Sequence, residues 1–132
     1  MKLSSLNRNK IMEGASMWQV PKEFFEPFYN YLVHGWEPGG CFTAVLANDF
    51  FTAIQRSHPA NTVDAFKRTT GWINDKWPHL AWGSYPAVDA WIKLREEDRR
   101  QCLEAAGLIY SERQEVEMAL RGKVAGPEPM LW

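Results

Sequence analysis

WEPGGCFTAVLANDFFTAIQR, residues 36–56, joins the clearest turn in the chain to its clearest run of helical spacing. Pro38-Gly39-Gly40 makes the turn, because glycine reaches backbone angles closed to residues with a Cβ and proline presets φ. Phe42, Val45, Leu46, Phe50 and Ile54 then recur at steps of three, one and four, the pattern of one face of a helix over residues 40–56. A glycine turn opening a buried helix is therefore the first element placed, and the others are arranged around it.

Upstream, Pro21-Lys22-Glu23 suits a first helical turn, since proline at that position loses no hydrogen bond. Phe24, Phe25, Phe28, Tyr31 and Leu32 continue a helical stripe over residues 22–34, with a bend expected near residue 26 because Pro27 lacks an N–H. His34-Gly35 closes it. Residues 1–16 are polar and without periodicity, which reads as a flexible leader ahead of a single helical domain over 17–121.

Downstream, the residue before Pro59 is pushed out of the helical region, so residues 56–60 form a connector. Asn61 or Thr62 caps a third helix that Pro78 ends, its face carrying Val63, Phe66, Thr70, Ile73 and Trp77. Ser84 caps a fourth, with Pro86 in its first turn, expected to run through the mixed charges of residues 95–100 as far as Ala106 and to stop at Gly107. Ser111-x-x-Gln114 is a capping box opening a last helix to about Arg121. The tail over 122–132, with Pro127 and Pro129, reads as irregular. No segment combines strand alternation with hairpin signals, although short β segments at 78–83 or 108–110 stay open. The fold class is all-α: a compact single-domain bundle of about five helices with mobile N- and C-terminal tails.

Composition narrows the function classes. The 132 residues are 45% apolar, enough for one domain with a real core. Fifteen basic against sixteen acidic residues leave a net charge of −1, so there is no field to draw the chain to nucleic acid or to an anionic membrane. No apolar run approaches the roughly 20 residues that span a bilayer. Cys41 and Cys102 stand far apart with no pair motif, which fits reduced thiols in a cytosol. Seven tryptophans are the anomaly: most belong in the core, and one or two are left to line a groove, anchor a partner protein or bring two copies together as a homodimer.

The run from Val33-His34-Gly35 through Pro38-Gly39-Gly40 and the A-V-L-x-N-D segment ending at Asp49, followed by Trp72-Ile73 and the G-S-x-x-x-V-x-x-W pattern from Gly83 to Trp91, resembles a family of small bacteriophage and prophage proteins of unknown activity. The likeness covers residues 20–93. His58-Pro59 stands where such proteins often carry a short acidic stretch, and the helical extension from residue 95 has no counterpart. What the resemblance implies is origin: an accessory protein of a phage, acting in the host cytoplasm in takeover or counter-defence.

Candidate chemistry gathers along the polar side of the 40–56 helix. The N–H groups after Gly39-Gly40, with Thr43 adding a hydroxyl, can hold a phosphate or carboxylate, although one glycine turn is more often only a corner. Asn48, Asp49 and Arg56 follow on the same helix, for which an ion pair or a cap to the neighbouring connector is the plainer reading. His58 beside Asp49 can be drawn as a general base, but no nucleophile or oxyanion site accompanies it, and His34, His58 and His79 lack metal-ligand spacing. No catalytic residue, metal or cofactor is assigned. The expectation is a non-enzymatic binder that captures a phosphorylated, nucleotide-type signal through Trp36, Gly39, Gly40, Thr43, Asn48, Asp49, Arg56 and His58. The alternatives are a protein inhibitor or adaptor docking a host protein by an aromatic patch, and a small hydrolase.

Overall fold

The computed structural model describes residues 1–121, and within them every regular element is helical. The α-helices are α1 (Ser5–Met17), α2 (Lys22–His34), α3 (Gly40–Leu46), α4 (Phe50–Arg56), α5 (Val63–Lys76), α6 (Tyr85–Lys93), α7 (Glu96–Ala105) and α8 (Glu112–Leu120), with a 3-10 turn at His79–Ala81 before α6. The all-α class stands, and the eight helices replace the expected five or so. The irregular tail expected over 122–132 lies outside the described residues.

The core is organised by α2. Phe24, Phe25, Phe28, Tyr31, Leu32 and Val33 are all buried, and the helix runs through Pro27 without ending. Aromatic rings from other elements close on it: Phe42 lies 4.7 Å from Phe28, Trp72 stacks at 6.0 Å on Phe25, and Trp77 stands edge-on to Trp72 at 5.2 Å. Trp91, fully buried, has its indole N–H shared between the Tyr31 and Leu32 carbonyls at 3.2 and 3.3 Å. Such contacts add attraction beyond the area they remove from water.

Three expectations are corrected. The leader is α1, whose Ile11, Met12 and Ala15 are buried against the core. Its low periodicity conceals a polar residue used internally. Asn7, wholly buried, donates to the Tyr110 carbonyl at 3.1 Å and to the Glu115 carboxylate, and accepts from the Tyr110 N–H at 2.7 Å, so it ties the chain's start to the α7–α8 link. The helix expected over 40–56 is two helices. Asn48 ends α3 in the left-handed region at φ 62°, where asparagine is tolerated, with the Asp49 N–H reaching back to the Ala44 carbonyl at 2.8 Å. The helix expected to run to Ala106 also breaks, at Leu94 and Arg95, and restarts at three acids, Glu96, Glu97 and Asp98, which suit the positive end of α7.

Two close approaches hold these pieces together. Gly71 in α5 lies under the Trp18 ring, where an added Cβ would come within 2.4 Å of a ring carbon, and Trp18 donates its indole N–H to Asp75 at 3.0 Å. Gly35, at φ 70°, ends α2 and leaves room for Arg99. Arg99, only 7% exposed, donates from Nε to the Val33 carbonyl at 3.2 Å and from Nη1 to the Leu94 carbonyl, so its charge rests on the carbonyl ends of α2 and α6.

A candidate docking surface on the fourth helix

The break at Asn48-Asp49 decides what α4 presents. A Schellman-type end at Asn48 and a new cap at Asp49 turn the chain between α3 and α4, so the apolar stripe begun by Phe42, Val45 and Leu46 does not continue onto α4 in register. Phe42 and Val45 pack on the core and Leu46 is buried. Phe50 and Ile54, expected on the same buried face, are instead 53% and 37% exposed, and Phe51 beside them is 76% exposed. At about 100° per residue these three side chains fall within one arc of about 100°. α4 buries Ala53 alone and points its apolar stripe at solvent. Sequence reasoning missed this surface. The Asn-Asp pair carried the signal, since asparagine accepts the left-handed region and aspartate is a favoured N-cap.

Asp49 fixes the start of α4. One carboxylate oxygen accepts the Thr52 N–H at 3.2 Å, and the other accepts the Tyr85 hydroxyl at 2.6 Å, which ties α4 to the first residue of α6. The Tyr85 bond, then the Thr52 bonds, hold the Asp49 carboxyl below its ordinary range, and the same bond pushes the Tyr85 phenol up. Asp49 thus caps the start of α4, not, as expected from inside one continuous helix, the connector after it.

The remaining expected site residues scatter. Arg56 lies over Gly40: a Cβ there would meet its Nη1 at 2.6 Å, so the guanidinium occupies the ground in front of the α3 N-terminus. α3 has seven residues, and a helix that short offers little dipole to an anion. Thr43 turns its hydroxyl into the packing, where it has no hydrogen-bond partner among the described residues. Gly39 and Asn48 are exposed turn residues. His58 accepts the Ala60 N–H on Nδ1 at 3.0 Å, which commits that nitrogen to the connector turn. Trp36, 58% exposed, stacks at 4.7 Å on His34 beside a groove that Arg8, Tyr29 and Asn30 also line. None of the other seven expected site residues lines that groove.

Among the described residues no group of three His, Cys, Asp or Glu side chains is placed to hold a metal ion, and both cysteines are free thiols. No described helix is long and apolar enough to cross a membrane. No protein-family model matches the chain, and no curated protein or solved structure is significantly similar to it.

Proposed function

We propose that the chain is a non-enzymatic binding protein that docks a partner protein through α4. The observation that carries this is the inverted helix: Phe50, Phe51 and Ile54 stand in water while Ala53 is the residue α4 buries. Burying a Phe or Ile side chain is worth about 1.5–3 kcal/mol, so three left in one stripe store the driving force for an association. Aromatic side chains in such stripes are the usual anchors of protein interfaces. In the setting implied by the likeness to phage proteins, the partner is a host protein, the place is the host cytoplasm, and the effect is takeover or counter-defence.

Capture of a phosphorylated small molecule has weaker support, because Arg56 already covers the turn at Gly40 and Trp36 stacks on His34 instead. The two readings separate experimentally. Immobilised full-length chain is expected to retain a stoichiometric partner from a cell extract, and Phe51→Glu to lose it with the unfolding midpoint unchanged. A panel of nucleotides at millimolar concentration is expected to leave that midpoint where it is. Stabilisation by a nucleotide that Arg56→Ala abolishes would replace docking with small-molecule capture.

A further inference from the structure

The face that α4 turns inward carries little apolar area. Asp49, Ala53 and Arg56 stand at i, i+4 and i+7, one line along the helix. Ala53 is wholly buried, its carbonyl accepts the Cys41 thiol at 3.3 Å, and the Arg56 side chain lies over Gly40. An acid, a methyl and a guanidinium thus fill the stripe where a packed helix carries its apolar residues. The hydrophobic effect, the main force that holds an element to a core, acts on α4 through that one methyl.

The surroundings of α4 are fixed without it. Phe42 of α3 packs at 4.8 Å on Phe24 and 4.7 Å on Phe28, and the Leu46 carbonyl accepts the Gly83 N–H at 2.7 Å just ahead of α6. Asn48, at φ 62°, is the single residue between the turn that ends α3 and the cap of α4, so rotation about it moves one helix against the other. Beyond α4 the Ala60 and Asn61 N–H groups both bond to His58, at 3.0 and 2.8 Å, and no residue of the connector over 57–61 is buried. The Tyr85 hydroxyl on the Asp49 carboxylate, at 2.6 Å, is the tie that reaches past α3 to α6.

We infer that α4 is a latched flap: hinged at Asn48, it swings off α3 as one unit with its connector, and the Tyr85–Asp49 hydrogen bond is its latch. Opening uncovers Gly40 and the Cys41 thiol on the first turn of α3 and moves no core aromatic. How α4 is held is independent of whether it docks a partner.

Amide hydrogen exchange of the full chain, read residue by residue at several urea concentrations below the unfolding transition, tests the flap. The Thr52 N–H donates to the Asp49 carboxylate, that of Ala53 to the Asp49 carbonyl and that of Ser57 to the Ile54 carbonyl, so the three report both ends of the helix. The expected result is one protection common to all three, roughly tenfold or more below that of Leu32 in α2 and nearly independent of urea, because a flap exposes little surface. Tyr85→Phe, at a position 46% exposed, should lower all three by the same factor, about three- to tenfold, with the circular dichroism of the fold retained. Graded rates with Ser57 indifferent to Tyr85→Phe would overturn the unit, since they describe a helix that frays from its ends. Protection equal to that of Leu32, with the full urea dependence of unfolding, would overturn the hinge, because α4 would then leave only with the core. A common protection that Tyr85→Phe leaves unchanged would overturn the latch. Exchange at free-peptide rates in the parent chain would overturn the closed state itself.

Discussion

Single side chains in this fold carry costs that their local setting makes measurable. The Thr43 hydroxyl is buried without a partner among the described residues, so Thr43→Val, which keeps the shape and removes the orphaned group, is expected to raise stability by about 1 kcal/mol in urea unfolding. Gly71 works the other way. Its place under the Trp18 ring means Gly71→Ala should destabilise by about 1–3 kcal/mol through overpacking, although alanine is the better helix former. Adding Trp18→Ala should recover much of that loss, and a double-mutant cycle that shows simple additivity would refute the contact. Read along the chain, Gly71 is only a weak point in a helix; the reason for it is an indole 53 positions earlier, which no local pattern displays.

At the scale of elements, the caps decide where helices begin and end. Ser84, Thr62 and the Ser111-Gln114 box cap α6, α5 and α8 as their residue types suggest, since those bonds close within four residues. Asn48-Asp49 breaks a stretch whose apolar spacing is continuous, because the spacing rule is indifferent to a residue that ends one helix and another that caps the next. A pH prediction belongs here. The Asp49 carboxyl is held below its ordinary value of 3.8, so its contribution to stability is complete above that value and is lost as pH falls through the lower, folded one. Asp49→Asn should therefore flatten the acid limb of the midpoint-against-pH curve below about pH 4, where the unfolded carboxyl takes up its proton. An unchanged acid limb would show that the bonds to Tyr85 and Thr52 do not persist in solution.

For the whole molecule, α1 is part of the core. Deleting residues 1–16 removes Ile11, Met12, Ala15 and the Asn7 bonds to Tyr110. Buried aliphatic truncations cost about 2–5 kcal/mol each against a total stability of about 5–15 kcal/mol. The truncated chain is expected to lose its near-ultraviolet circular dichroism, whereas a fold with a dispensable leader would retain it. What the sequence determined by itself is local: helical class, most caps, the absence of a membrane-spanning run, and the aromatic supply for a core. These follow from side-chain spacing and from hydrogen bonds that close within one turn. Only the tertiary structure decided that α2 is the central helix, that Asn7 and Arg99 are buried polar ties, and that α4 faces outward. Each of those depends on which distant surface arrives to cover a residue, and burial belongs to the packed pair, not to either sequence segment alone.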